Sequence, residues 1–334
     1  MDGTETSSGR STAAPATRRR LLGQTELVAI ILMGTLLSQR WLIDLLDFRP
    51  LQAWSTMFVA IVVQALPFLV GGVLLASFIS VLLSERVLAA VVPKRSGLAV
   101  PVAGLSGMAL PGCECASVPI SGSLIRRGVP PAAALTFLLS APAINPIVLV
   151  STAVAFPGQP EMVLARFVAS LSVALVMGWL WLTLGGKVPM RLPKLPPDAG
   201  QPKLVRFLGS AQHDFLHAGG FLVLGAMIAA SINVLVPRQV VDSVAESFWL
   251  GILVMALFAF LIAICSEADA FVAASMSSFS PTAQLAFMVV GPAIDVKLAA
   301  MQSGTFGRAF AVRFAPLTFA VAVISAVLVG WWLL

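Results

Sequence analysis

Charge is what this 334-residue sequence has least of: Asp, Glu, Lys and Arg make up only 11% of it, and 58% is hydrophobic. Soluble domains average about 25% charged, so a water-soluble globule of this size is excluded. The distribution excludes it again. Residues 51–84, 128–160, 167–186, 218–237, 247–266, 270–294 and 314–334 contain no charged side chain. A spanning helix needs roughly 20 largely apolar residues, and several of these stretches supply that alone. Also missing is any Gly-x-x-x-x-Gly-Lys-Ser/Thr, which excludes the common phosphate-cradling loop as an energy source. Cysteine occurs three times only. The net charge of +6 comes largely from Lys and Arg in loops. It reports orientation in a bilayer and gives no reason to invoke a nucleic-acid partner.

What is present has a clear order. Residues 1–20 read as a polar, disordered cytosolic tail ending in Arg18-Arg19-Arg20. A first transmembrane helix falls within 21–50; a signal peptide competes for this run, but no small-residue cleavage site follows it, and Arg40 and Asp44 stand where one would lie. Residues 51–186 form a first repeat, 187–210 a basic cytosolic loop, and 211–334 a second repeat.

The repeat is visible residue by residue. Ala65-Leu-Pro-Phe-Leu-Val-Gly-Gly runs alongside Ala218-Gly-Gly-Phe-Leu-Val-Leu-Gly, and Cys113-Glu-Cys-Ala alongside Cys265-Ser-Glu-Ala. Pro131, Leu135, Phe137 and Pro142-Ala-Ile-Asn then match Pro281, Leu285, Phe287 and Pro292-Ala-Ile-Asp. Shared Leu and Ala would mean little, but Cys, Pro and Asn/Asp matches in one order point to a duplication.

Basic residues set the orientation of the copies. If 97–127 dips into the membrane and returns, then Arg18–Arg20, Lys94-Arg95, Arg126-Arg127 and the 187–206 loop all lie inside. Each repeat then crosses an odd number of times and the second is inverted. The expectation is seven crossings, near 27–43, 56–83, 130–153, 162–185, 215–236, 281–303 and 308–332, with re-entrant hairpins at about 97–127 and 247–279. Trp41, Trp54, Trp249, Trp331 and Trp332 fall at the outer interface. The fold class is thus an all-α integral membrane protein, a polytopic helical bundle built from two inverted repeats with broken or re-entrant hairpins. The lipid bilayer is its first partner, and a homo-oligomer is compatible with the sequence.

The hairpin tips carry the chemistry. Irregular backbone at membrane depth is tolerated only against protein or a water-filled cavity, and inverted-repeat transporters place such breaks against their substrate. Pro111 and Gly112 break the first hairpin, and Asn145 and Asp295 are placed to support broken helices by hydrogen bonds. All three cysteines, Cys113, Cys115 and Cys265, fall in the two tips. Converging thiols suit a thiophilic ion or metalloid, so these three are the candidate substrate or metal ligands; as single residues they would read as small hydrophobes. Glu114, Glu267 and Asp269 share the tips, and a carboxylate inside a bilayer is a functional hypothesis by default. They are the candidates for proton coupling, a role compatible with sitting at helix N-termini. Lys297 reads as snorkelling toward the interface or pairing with Asp295, the former slightly favoured. His213, Asp214 and His217 read as interfacial caps at a helix start.

Pro111-Gly-Cys-Glu-Cys, Val118-Pro119, Gly128-Val-Pro and Phe137-Leu-Leu-Ser-Ala-Pro-Ala-Ile-Asn-Pro together resemble the bacterial "predicted permease" family that includes the ArsP-type organoarsenical efflux permeases. The likeness covers most of 55–330. It implies efflux of trivalent organoarsenicals; the charge pattern adds a cytoplasmic N-terminus and the missing phosphate loop adds proton coupling, so the expectation is a multi-pass protein of the bacterial inner membrane exporting a small thiophilic species by alternating access. Relatives linked to copper or zinc export keep that substrate class open. The expectation is a transporter without a cofactor and not an enzyme. An intramembrane thiol oxidoreductase is the competing class, but such enzymes use Cys-x-x-Cys near a membrane face. A subunit that translocates nothing without a partner is the third reading.

Overall fold

The computed structural model describes residues 49–81, 96–109, 114–184, 190, 202–235 and 247–334. The tail, the first expected helix and most of the basic loop lie outside the described residues, as do Pro111, Gly112 and Cys113. The chain divides into two compact units, Met1–Gln52 and Ala53–Leu334, and everything that bears on the site belongs to the second.

Twelve α-helices and no strand occur among the described residues. They are α1 (Arg49–Val81), α2 (Ser96–Ser106), α3 (Glu114–Arg126), α4 (Pro131–Ser140), α5 (Pro146–Ala155) and α6 (Pro160–Leu184). There follow α7 (Lys203–Leu235), α8 (Phe248–Ile262), α9 (Asp269–Ser275), α10 (Pro281–Ala293), α11 (Val296–Phe306) and α12 (Arg308–Leu333). Five spans are long and apolar enough to cross a membrane: Pro50–Val81, Pro160–Leu184, Lys203–Ser231, Pro281–Phe306 and Arg308–Leu333. Shorter apolar helices lie between them. The molecule is an all-α, polytopic membrane protein.

Six helices in each half follow one pattern: a long helix, two short ones, two more short ones, a long one. Each expected hairpin contains two short helices with a break between them. Each expected crossing at 130–153 and 281–303 is itself broken, into α4–α5 and α10–α11. The breaks follow from the sequence. Pro142 and Pro292 remove a backbone donor. Asn145 and Asp295 then cap the next helix, each accepting from the amide three residues on, Val148 N at 3.0 Å in the first case and Leu298 N in the second. One boundary differs: α7 begins at Lys203, inside the stretch read as loop, so the helix runs about two turns further than the apolar pattern alone indicates.

Burial separates the centre of the bundle from its rim. The most apolar window of Pro281–Phe306 is 83% buried inside the protein, that of Pro50–Val81 only 22%. The central helices α4 and α10 are apolar on every side and rich in Ala, as a helix enclosed by others must be. Helices α2, α3 and α6 pack on α4, and α8, α9 and α12 on α10. The halves also interlock, with α3 against α11, α9 against α5, and α6 against α12. Two matched glycines allow close approach: a Cβ on Gly72 of α1 would lie 2.5 Å from Ala116 Cα, and one on Gly225 of α7 2.8 Å from Lys297 Cα. Large apolar side chains such as Val63, Val150, Leu253 and Leu328 face outward, where lipid solvates them. Trp249, Trp331 and Trp332 are exposed as well, and Trp54 donates its ring N–H to Ser231 Oγ at 2.9 Å.

Candidate functional site

The second break is described in full. Helix α8 ends at Ile262 on a left-handed Ala263 with φ 52°. That conformation is the usual way to terminate a helix, but the residue in it is normally glycine. Cys265 and Ser266 follow, both buried, then a half-buried Glu267, and α9 starts at Asp269. In the first break, α3 starts at Glu114, with Cys115 next; both are fully enclosed. Cys115 and Cys265 are free thiols. Cys265 lies within electrostatic reach of Cys115, Glu114, Glu267 and Lys297. A cavity of about 440 Å³ opens beside it, bounded by α1 through Met57 and Gln64, by Phe258 of α8, by Met276, and by Lys297. Among the described residues no three His, Cys, Asp or Glu side chains gather as metal ligands; Cys113, the third expected thiol, lies outside them.

Two buried ion pairs cross between the halves and anchor the two breaks. Lys297, on the first turn of α11, donates to Glu114 Oε1 at 2.8 Å and stands 3.7 Å from Asp295. Lys297 is 0% exposed, which corrects the expectation that it snorkels. The reason is tertiary: Glu114, 183 residues away in the chain, is brought within 2.8 Å of its ammonium. Arg166 of α6 donates to Asp269 Oδ2 at 2.8 Å, to the Ser266 carbonyl at 3.1 Å and to Thr152 Oγ1 of α5 at 2.8 Å. It too is fully buried. Sequence reasoning missed Arg166 because one cation near a helix end looks like a loop residue. The available signal was its position, five residues after Glu161 and immediately before a charge-free run. In each pair the acid is the first residue of a half-helix, where the helix dipole favours it, and the cation comes from the other half of the chain.

Two expectations fare differently. Asp214 and the two histidines do not cap a helix start. They sit about three turns into α7, and Asp214 accepts from Arg126 of α3 at 2.9 Å. Glu267 makes no ion pair among the described residues and is the tip carboxylate left without a cation.

An interior of broken half-helices, buried charges and an apolar cavity is the architecture in which membrane carriers hold what they move. Residues 51–331 match the model of a family described as "Predicted permease". The chain belongs to that family. Two relatives agree over nearly the same length. A Bacillus subtilis permease-family relative, "UPF0718 protein YcgR", is 35% identical over 282 residues, covering 81% of this chain and 94% of its own. A Streptococcus mutans protein named "Putative two-component membrane permease complex subunit" is 30% identical over 281 residues, covering 82% and 93%. No solved structure matches. By kinship the chain is a membrane permease, and every side chain of the breaks described above lies inside the matched region.

Proposed function

We propose that this permease exports a small thiophilic species, with a trivalent organoarsenical favoured, by alternating access and at the expense of a proton gradient. The observation that carries the reading is the pair Cys115 and Cys265: both described cysteines are buried, free, and set at the two breaks, and a cavity borders one of them. Cys113 is the third thiol of the proposed set. A methylated arsenic(III) carries two exchangeable hydroxyls. Two thiols displace them, forming two As–S bonds and releasing two waters, and arsenic keeps its oxidation state throughout. The third thiol receives the ligand by exchange, so no step breaks every bond at once. Soft cations such as Cu(I) suit the same donors.

The carboxylates supply the coupling. Glu267, half-buried at the tip and without an ion pair among the described residues, is suited to load and unload a proton. Asp269 and Glu114 anchor the hairpins through Arg166 and Lys297, and a proton on either acid would loosen the corresponding pair. The N-terminus is read as cytoplasmic and the membrane as the bacterial inner membrane.

The test is a serine scan at Cys113, Cys115 and Cys265 in a metalloid-sensitive host, with expression matched, followed by transport into liposomes of methylarsenite, arsenite, Cu(I) and Zn(II). Each single serine is expected to reduce resistance sharply. A triple variant as protective as the parent against every species would end the thiol reading. One observation favours a second arrangement: the Streptococcus relative's name calls it a subunit of a two-component complex. If this chain also needs a second membrane component, the purified protein alone will be silent in liposomes while host membranes containing it are active.

A further inference from the structure

Among the described residues, five Asp, Glu, Lys or Arg side chains are withdrawn almost wholly into the bundle, each at most 2% exposed: Glu114, Asp269, Asp295, Arg166 and Lys297. Three carboxylates therefore share two cations. Arg166 is committed to Asp269 and Lys297 to Glu114, both at 2.8 Å, whereas Asp295 stands 3.7 Å from Lys297, beyond a hydrogen bond. Asp295 Oδ1 caps α11; its Oδ2 is enclosed without a hydrogen bond, as are Glu114 Oε2 and Asp269 Oδ1, but it alone belongs to a carboxylate with no cation within hydrogen-bond distance. Fully ionised, the cluster would hold one uncompensated negative charge, and a buried charge without compensation takes up a counter-ion or neutralises.

The other half of the chain shows that the cap itself does not need that charge. Asn145 caps α5 in the same way with a neutral amide. Among the described residues no cation other than Lys297 pairs with Asp295, and the cations of α7, Lys203 and Arg206, lie on that helix's first turn. From α3 come Glu114 and Cys115, and the nearby break adds Cys265. Helix α8 carries no ionisable group. On α7, Asp214 is paired with Arg126, and His213 and His217 stack beside it. On α12, Arg308 and Arg313 are exposed.

We propose that Asp295 is the binding site of one exchangeable proton, which neutralises the buried Glu114–Lys297–Asp295 cluster. When that proton leaves, one lysine faces two carboxylates. Lys297 is then drawn from Glu114 toward Asp295, and the first turn of α3, which carries Cys115, loses its anchor. The proposal deepens the coupling half of the permease reading, on which its use in transport rests. The proton site itself can be tested without any substrate.

Infrared spectroscopy of the purified full-length protein is the experiment. A protonated carboxyl gives a carbonyl stretch separate from carboxylate and amide bands. An aspartate band is expected near neutral pH, lost on titration to alkaline pH, and told apart from any Glu267 band because it alone shifts when aspartate carries a carbon isotope label at its side-chain carboxyl. Asp295→Asn, which keeps the cap, should delete it. The labelling arm uses the unaltered protein, so a misfolded variant does not blunt the test. A band that persists in Asp295→Asn, that shifts with labelled glutamate instead, or that is absent from the parent at every pH overturns the proposal. Absence of the band together with stabilisation of the parent, but not Asp295→Asn, by sodium over choline would assign the site to an alkali cation, which also overturns the proton. A band present and lost as expected, with transport indifferent to a pH gradient, would refute the coupling reading and leave the proton site standing.

Discussion

Replacing Arg166 by Met removes a buried cation and leaves its volume nearly filled. Asp269 is then 2% exposed with no counter-charge, and stripping one partner from a buried pair costs about 3–5 kcal/mol. Asp269→Asn strands the guanidinium instead and costs a similar amount. Added independently, the two changes would cost roughly 6–10 kcal/mol. They will not add. The double variant buries neither charge, and what remains is the loss of the bonds to Thr152 Oγ1 and the Ser266 carbonyl, about 1 kcal/mol each. The double variant should therefore be more stable than either single one, with a coupling of at least about 4 kcal/mol. Cys115 and Cys265, buried and free, report the unfolding of purified protein through a thiol-reactive dye during denaturant titration. Single variants that cost under about 1 kcal/mol, or a double variant that costs their sum, would refute the account of this pair as an interior clamp.

Gly72→Leu drives a side chain into the Ala116 backbone and should cost at least about 1–3 kcal/mol, read in the same titration, while Gly71→Leu, which meets nothing within 4 Å, should be near neutral. Ala263→Gly relieves a left-handed alanine at the α8 terminus and should raise stability by about 1 kcal/mol, seen as a shifted unfolding midpoint. Glu267→Gln is expected to abolish the response of export to an imposed pH gradient while leaving the protein monodisperse, checked in liposomes with and without the gradient. A cysteine placed at Arg127 in a cysteine-free background should be shielded from an impermeant external thiol reagent and one at Ser278 should react, labelling of intact cells being the measurement.

The breaks were legible because the sequence interrupts its apolar runs with residues that cannot continue a helix. The clustering of Cys265, Glu267 and Asp269 marks one of them; Pro142, Pro292, Asn145 and Asp295 carry the signal for two more, in segments expected to be crossings. What pairs with what was not legible. Arg166 finds Asp269 across 103 residues, and Lys297 finds Glu114 across 183. No local pattern encodes such a partner, so a lone cation in an apolar run reads as a snorkelling one. The start of α7 was misplaced for a related reason. Residues 203–210 mix Lys and Arg with apolar residues, which looks like a loop to a rule built on hydropathy and is a helix in the fold.

The long sequence separation of these pairs has a consequence for how the protein is made. Synthesis delivers Glu114 to the membrane well before Lys297 exists, and Arg166 well before Asp269. For that interval the first half of the chain holds a carboxylate and a guanidinium whose partners are still on the ribosome, the carboxylate on a helix of 13 residues, too short to cross a bilayer by itself. Neither charge can be sealed until the second half threads in, so the two halves cannot mature one after the other. A chain truncated after α6 would carry a bare acid and a bare base facing lipid or an unfinished groove, a mark by which quality control can tell an incomplete molecule from a finished one.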